Sequence, residues 1–531
     1  MIIMKKMIDL IKRYSYGIIL SCIAVAMSCT SEFEDINTNP NAIAKLGDSE
    51  LPFLFSKAQQ VATHYVWTYQ VAQNLFADQY AQYFACTATY FPSDRLVIRQ
   101  DWVGAAFNPI YTDVVPQLQT IMAETDPASA ENAIAKVWWV YSFHRVTDYW
   151  GPIPYSQAGV PATSVEYDTQ ASIYADFFVK LDEAIAVLNT KKGTNAFASF
   201  DLIYGGSVDK WIKFANTLKL RLAMRISKVD ATKARAEAEE AVGSGVMSAS
   251  PTDDALIQRS LKGADFNGLS VMSDWGEFRM SAAMESVLKG YEDPRMGVYF
   301  QPALNNGVYN GLRNGLTADQ LANNAINYPD NNSHVGERWT SVNIKLKGKA
   351  DHNATPQNVM CSAEAWFLRA EGALLGWNMG TTAQIAYESG IEASMSQWDI
   401  KDTPVITAYK TSVKTPIAPN DFLNSPALTN IPVAFGATPS VQLEQIMTQK
   451  WLALYPEGME AWADYRRSKV LKLYPVANSE NSDITNTSTQ WIRRIVFLTS
   501  ERQNNTTAVK AAEGLLGGPD KVTTPLWWDK N

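Results

Sequence analysis

The chain has 531 residues, of which 46% are apolar, 19% charged and 11% aromatic, and its formal net charge is −8. This composition is that of a globular protein, neither disordered nor collagen-like. It argues against nucleic acid as a partner, because phosphate binding needs clustered Lys and Arg and no stretch after the N-terminal leader is strongly basic.

The first 28 residues are predicted to be a secretory signal. Basic residues fall within 5–13, and an apolar run of about 12 residues follows, too short to span a bilayer. At the end of this run Cys29 follows a small residue, as in a bacterial lipoprotein signal, so we expect Cys29 to be lipidated. The alternative acceptor, Cys22, leaves a very short apolar run. Without lipidation the protein would be an ordinary secreted one.

The next segment, residues 29–50, is predicted to be a flexible tether, because it begins with the acidic stretch 30–35. No domain boundary is evident after residue 50. Residues 51–531 are therefore predicted to form a single domain.

Helical periodicity dominates this domain. Apolar residues recur at spacings of three and four, and one of the predicted helices, at 208–226, has Ser207 as its expected N-cap and Asp209 in its first turn. Other predicted helices come in adjacent pairs, which are 131–148 with 171–189, 362–377 with 383–397, and 441–455 with 459–468. Paired helices along a chain indicate hairpin repeats of the TPR kind, although no clean 34-residue period is present. The predicted fold class is all-α, with degenerate TPR-like hairpins.

Three long insertions interrupt the helices, at 249–281, 301–340 and 400–440. The second holds nine Asn residues. Long irregular loops in a compact protein usually carry function, so ligand contacts are expected here.

The sequence offers little for catalysis or for a cofactor. It has no HExxH, GxSxG, Walker or dinucleotide-binding motif, and only four histidines. Glu364 and Glu371 are seven residues apart on one helical face, which fits an acid/base pair but also ordinary charges near Arg369. We predict no catalytic residue, no metal and no cofactor. Cys86 and Cys361 either form a disulfide or remain two separate buried thiols.

Aromatic side chains in polar loops are the remaining candidates for a binding site. A ring stacks on the C–H groups of a sugar, while neighbouring polar side chains bind its hydroxyls. The predicted ligand-binding residues are Tyr90, Trp275, Phe278, Tyr309, Arg313 and Trp339.

Several segments, in order, resemble the SusD/RagB family of outer-membrane lipoproteins. The clearest are 36–42 (INTNPNA), 145–155 (RVTDYWGPIPY), 210–225 (KWIKFANTLKLRLAMR), 293–295 (DPR), 364–371 (EAWFLRAE), 449–454 (QKWLAL), 458–467 (GMEAWADYRR) and 523–529 (TTPLWWD). The acidic stretch after Cys29 also looks like the signal that directs Bacteroidetes lipoproteins to the outer face of the membrane.

This resemblance implies a curved scaffold of four TPR-like hairpins, with the ligand loops on another face. It implies that the protein binds a nutrient at the cell surface and passes it to a SusC-like TonB-dependent transporter. The implied ligand is an oligosaccharide, or a peptide in the RagB branch. No ligand residue can be transferred by motif, because the family's ligand residues lie in variable loops.

Two other functions remain open at the level of the sequence. A surface glycoside hydrolase would need two carboxylates roughly 5–10 Å apart in a cleft. A scaffold that binds only other proteins would show an open concave groove and no small-ligand pocket.

Overall fold

The computed structural model describes residues 50–162, 164–341 and 351–530, together with Met4. The predicted signal peptide, Cys29 and all but the last residue of the predicted tether lie outside the described residues. Residues 52–531 form one compact unit.

The described part of the chain is mostly helical, which confirms the predicted fold class. The helices of eight residues or more are α1 (Leu51–Ala62), α2 (Val115–Glu124), α3 (Ala130–Trp150), α4 (Gln170–Asn189), α5 (Val208–Arg225), α6 (Ala231–Ser244), α7 (Ala282–Gly290), α8 (Ser362–Leu374), α9 (Ala383–Gln397), α10 (Thr403–Lys410), α11 (Pro439–Leu454), α12 (Gly458–Ser468) and α13 (Thr506–Glu513). A π-helix spans Gln70–Asp78 and another Ile110–Val114. Shorter α-helices cover Gln100–Val103, Gly268–Ser273, Met296–Tyr299, Ala318–Ala322, Asn324–Asn327 and Thr499–Asn504.

The predicted helix pairs are present. α3 packs against α4, α8 against α9, and α11 against α12, and α5 with α6 forms a further pair. α8 also packs on α5 and α11, so that successive hairpins share one core. Large apolar side chains fill this core, and those of Trp138, Trp211 and Trp451 are among the largest that are fully buried.

Helix ends follow the local sequence. Ser129 caps α3 by accepting a hydrogen bond from the backbone N–H of Asn132 at 3.1 Å. Ser207 is the N-cap residue of α5, as predicted, but its side chain makes no capping hydrogen bond. Asp209 in the first turn accepts instead from the N–H of Gly193, at 3.2 Å.

Within the described ranges, four short strands form two antiparallel pairs. β1 (Phe84–Cys86) pairs with β3 (Phe278–Met280), and β2 (Ala255–Ile257) pairs with β4 (Gln357–Met360). The first pair brings together two loops that are about 190 residues apart in sequence, and this pairing positions the candidate site described below.

The two thiols of the described chain, Cys86 and Cys361, are free and buried rather than joined. Burial raises the pKa of both thiols well above the usual value, so they stay protonated. Among the described residues, no helix is both long and apolar enough to cross a membrane.

Candidate ligand-binding surface

The β1–β3 pair places two loops side by side at the surface. Beyond the last paired residues, Cys86 and Phe278, the N–H of Thr87 donates to the carbonyl of Glu277 at 2.9 Å. The Thr87 hydroxyl donates to the carbonyl of Gly276 at 2.8 Å. The loop that carries Tyr90 is therefore fixed against the loop that carries Trp275.

The carboxylate of Glu277 joins these loops to the π-helix. It accepts a hydrogen bond from Nε2 of Gln70 at 2.5 Å and another from the hydroxyl of Tyr90. The bond to Glu277 raises the pKa of Tyr90 to about 12, so this hydroxyl remains a donor at neutral pH. Both carboxylate oxygens are thus held by neutral partners.

Three large aromatic side chains on the connected segments are exposed. Tyr90 is 64% exposed, Trp67 58% and Trp275 49%. Trp275 precedes Glu277 by two residues, and the carbonyl of Trp67 accepts from the N–H of Gln70. We call Trp67, Gln70, Tyr90, Trp275 and Glu277 the Glu277 surface. It combines flat apolar rings with a carboxylate and an amide, the groups that bind uncharged hydroxylated ligands.

Phe278 and Trp339, which the sequence analysis places among the aromatics of polar loops, are buried. Phe278 belongs to β3, and its ring packs on that of Phe84 at 4.7 Å. The Trp339 ring packs on Trp398 at 5.5 Å and on Tyr455 at 5.8 Å. Both side chains are at least 97% buried and support the Glu277 surface from within, because the Trp339 carbonyl also accepts from the hydroxyl of Ser273.

Arg313 and Tyr309 lie among other neighbours. Arg313 is buried, with its guanidinium over the ring of Tyr474 at 4.7 Å and donating to the carbonyl of Pro475 at 2.7 Å. It also forms an ion pair with Asp421 at 3.7 Å. These contacts fix a loop, and they show that Arg313 is not an exposed donor. Tyr309 is half-buried, and its carbonyl accepts from the ammonium of Lys289 at 3.0 Å.

Of the predicted site residues, Tyr90, Trp275 and Phe278 come together through β1 and β3. The sequence did not single out Trp67, Gln70 or Glu277. Trp67 lies in the aromatic stretch 64–69, which is typical of a buried helix. The chain leaves the helical conformation there, with positive φ at His64 and Val66, and this turns the indole ring outward.

Glu364 and Glu371, whose spacing fits an acid/base pair, are each held by an arginine. Glu364 and Glu371 are buried, and each is bound through both carboxylate oxygens by an arginine. Among the described residues, the group of acids close enough to hold a metal is Asp182 with Glu237 and Glu240. The ammonium of Lys219 contacts all three, at 2.5 to 3.0 Å, and supplies the positive charge there.

Comparisons with known proteins agree with this architecture. The model of the SusD-like family, described as Susd and RagB outer membrane lipoprotein, matches residues 35–529. A chitin-binding SusD homolog from Flavobacterium johnsoniae is 34% identical with a TM-score of 0.80, over 91% of this chain and 98% of that chain. A SusD-like protein from Bacteroides thetaiotaomicron is 31% identical with a TM-score of 0.80, over 91% and 99%.

A SusD homolog from Bacteroides uniformis is 31% identical with a TM-score of 0.79, over 91% of this chain and 100% of its own. No curated protein matches the chain. The helical hairpins and a match over nearly the whole described region together define the class, and the chain belongs to the SusD-like family of outer membrane lipoproteins.

Proposed function

We propose that this protein is anchored in the outer membrane through lipidated Cys29, with the folded domain at the cell surface. There it binds an uncharged oligosaccharide at the Glu277 surface and delivers it to a SusC-like TonB-dependent transporter. The protein itself performs no covalent chemistry. The observation that carries the proposal is the exposure of Trp67, Tyr90 and Trp275 around one hydrogen-bonded carboxylate.

The chemistry of this surface favours a sugar over a charged ligand. Exposed rings on a soluble domain are costly in water unless they serve a partner, and stacking on pyranose C–H groups is one such use. The one charged side chain of the surface is an acid, so it repels uronic acids and sulfated glycans. A relative with 34% identity is a chitin-binding protein, and chitin is an uncharged glycan.

A binding role without catalysis is supported by the state of the buried acids. A glycoside hydrolase needs a pair of carboxylates facing its ligand, whereas Glu364 and Glu371 each face a guanidinium. Reversible capture needs only micromolar to millimolar affinity, about −8 to −4 kcal/mol, which a few stacked rings and neutral hydrogen bonds can supply.

The test is calorimetric titration of the full chain, in mild detergent, with neutral oligosaccharides and with peptides of similar size. We expect saturable heat with one class of glycan, weakened by Trp275→Ala or Tyr90→Ala. Phe422→Ala is the matched control, because Phe422 is 51% exposed and lies in a different loop. Heat with peptides alone would assign the protein to the RagB-like branch and remove the sugar-stacking role of the Glu277 surface.

The anchor and the transporter need separate experiments. Cys29→Ala is expected to abolish labelling by a radioactive or clickable palmitate analogue and to release the protein from the membrane fraction. A transporter partner is expected to co-purify with the wild-type protein under cross-linking, and to be identified as a TonB-dependent barrel by mass spectrometry. Recovery without any such barrel would contradict the proposed delivery step.

A further inference from the structure

Two phenylalanine rings lie side by side at the surface, close to the start of the folded unit. Phe53 is in the first turn of α1 and is 59% exposed. Its ring lies 4.5 Å from that of Phe200, which is only partly buried and belongs to the segment 190–207 between α4 and α5. The hydroxyl of Ser56 donates to the carbonyl of Phe200 and joins this segment to the helix. We call these two rings the Phe53–Phe200 pair.

The same two segments make a second aromatic contact in the interior. Phe55 is fully buried, and its ring stacks on that of Phe197 at 4.3 Å. The core thus takes one aromatic side chain from each segment and leaves the other two at the surface. Single exposed apolar side chains are ordinary, but rings that are exposed side by side indicate a surface that meets an apolar partner.

The backbone of the segment 190–207 is held firmly in place. Phe197 and Ala198 have positive φ, of 60° and 47°, which residues other than glycine rarely adopt. Asp201 is 3% exposed, and its carboxylate accepts from the amide of Gln59 at 2.8 Å and from the indole N–H of Trp211 at 2.8 Å. The exposed ring of the segment is therefore fixed by these contacts.

The exposed charge of this segment is positive. Its charged residues are Lys191, Lys192 and Asp201, and only the aspartate is buried. Within the described residues, neither lysine side chain has an ion-pair or hydrogen-bond partner. Exposed rings that are accompanied by lysines are typical of segments that rest on a membrane with anionic headgroups.

The place of the pair along the chain favours the membrane as its partner. The compact unit begins at Pro52, and residues 30–51 separate it from Cys29, the proposed site of the acyl anchor. A flexible chain of that length has a root-mean-square end-to-end distance of about 25 Å. Phe53 is among the first residues of the folded unit after the anchor, so it stays within reach of the lipid.

α1 leads from this pair to the Glu277 surface. The helix begins at Leu51 and ends at Ala62, a length of about 18 Å, and Trp67 follows five residues after its end. A domain that touches the membrane beside the start of α1 therefore holds the exposed rings of the Glu277 surface beyond the opposite end of the helix.

We propose that the Phe53–Phe200 pair inserts into the surface of the membrane that holds the acyl anchor, while Lys191 and Lys192 lie on anionic headgroups. The inference rests on the proposed lipidation of Cys29. Two rings alone bind a membrane weakly, but the anchor keeps them at a high effective concentration beside it. The acyl chains thus provide attachment, and the pair fixes the orientation of the domain.

The test uses the mature lipidated protein in vesicles of phosphatidylethanolamine and phosphatidylglycerol. Ser199→Cys, next to Phe200, carries an environment-sensitive fluorophore, and the buried Cys86 and Cys361 do not compete for it. We expect a blue shift of the emission and about two-fold quenching by lipids that are spin-labelled in the acyl chain. Thr89→Cys, beside Tyr90 on the Glu277 surface, is the control label and is expected to show neither effect.

Two variants separate the apolar from the charged contribution to the contact. Phe53→Ser should reduce the quenching in all vesicles, and the double variant Lys191→Glu/Lys192→Glu should reduce it only where phosphatidylglycerol is present. Val413→Ser is the matched control, because Val413 is 80% exposed and lies in a different loop, and it should change nothing. All three should melt within about 2 °C of the wild type, since the altered side chains are not part of the core.

The outcomes distinguish this contact from the anchor itself. If mass spectrometry shows an acylated Cys29 and the label at position 199 remains in water, the membrane contact is wrong while the anchor stands. If Cys29 carries no acyl chain, the proposed anchor fails and the inference fails with it. A label that is shielded only by a cross-linked protein would assign the pair to a protein partner and overturn the lipid contact.

Discussion

The guanidinium of Arg221 in α5 makes two hydrogen bonds to the carboxylate of Glu364 in α8, at 2.7 and 2.6 Å. Both side chains are at least 98% buried. One face of α8 carries two such contacts, because Glu371 accepts in the same two-fold manner from Arg467 of α12, at 2.7 Å each. The seven-residue spacing of these acids therefore serves to join helical hairpins that are distant in sequence.

Removal of Glu364 tests how much its contact with Arg221 contributes to stability. Glu364→Ala removes both close hydrogen bonds of a buried guanidinium and leaves it only the more distant carboxylate of Glu460, at 3.6 Å. We expect the free energy of unfolding to fall by about 3 kcal/mol. Urea unfolding followed by tryptophan fluorescence measures it. Arg235→Ala is the control, because Arg235 forms a pair with Glu239 on the exposed face of α6, and a change of less than about 0.5 kcal/mol is expected. Equal losses in both variants would show that burial of the pair is unimportant.

The exposed rings of the Glu277 surface should affect binding but not stability. Trp275→Ala removes one ring that stacks on the glycan. We expect the binding free energy to weaken by about 1 kcal/mol, which raises Kd roughly five-fold. Because the side chain of Trp275 is half-exposed, the melting temperature of the Trp275→Ala variant should stay within about 2 °C of the wild type. Parallel calorimetry and thermal unfolding measure the two effects. An unfolding defect without any loss of affinity would assign Trp275 to the scaffold.

Glu277 gives a second, independent test of the same surface. Glu277→Gln keeps the shape of the side chain but removes its charge. Its oxygen can accept from the amide of Gln70, and its new amide nitrogen can donate to the hydroxyl oxygen of Tyr90. We expect neutral oligosaccharides to bind within about two-fold of the wild type, and glucuronate-containing oligosaccharides to bind more tightly, since the repulsive charge is gone. Calorimetry of the wild type and Glu277→Gln with matched neutral and acidic oligosaccharides measures this difference in affinity. Unchanged discrimination between them would place the acidic group of the ligand elsewhere.

Asp78 should make stability depend on pH. Its carboxyl is buried and accepts from the hydroxyl of Tyr69 at 2.7 Å and from the amide of Gln73 at 3.0 Å. Burial is the largest effect and raises its pKa from 3.8 to about 7. Between these two values the folded state keeps a proton that the unfolded state has lost, so the free energy of unfolding falls as the pH rises through this window.

The variant Asp78→Asn should reduce this dependence, by at most about 3 kcal/mol between pH 5 and pH 8. Urea unfolding at pH 5 and pH 8 is the measurement. Asp101→Asn serves as the control, because Asp101 is exposed and its hydrogen bond to Arg99 lowers its pKa, so it is ionised in both states across this range. An identical pH slope in wild type and Asp78→Asn would show that Asp78 titrates normally.

The sequence predicts the helices well, but it does not predict which of the candidate loop residues are exposed. The helix predicted at 131–148 is observed at Ala130–Trp150 and that at 171–189 at Gln170–Asn189, because apolar spacing and caps are local signals. The burial of Phe278 is not local. It depends on the pairing of β3 with β1, nearly 200 residues earlier, and the residues next to Phe278 in sequence do not indicate this pairing. The outward turn of Trp67 depends in the same way on backbone conformation at His64 and Val66.

Close packing between the π-helix and α12 gives the last prediction. Gly458 begins α12, and a Cβ atom at this position would lie 2.1 Å from Oδ1 and 2.6 Å from Cα of Asp78. Because the backbone of Asp78 cannot move aside as a flexible side chain can, Gly458→Ala is expected to lower the free energy of unfolding by about 3 kcal/mol. Gly243→Ala in α6 meets nothing within 4 Å and is expected to raise it by about 0.5 kcal/mol, since alanine favours a helix. Urea unfolding measures both variants. Changes of opposite sign in the free energy of unfolding would show that the backbone of Asp78 leaves no room for a side chain at position 458, and a stabilising Gly458→Ala would contradict this.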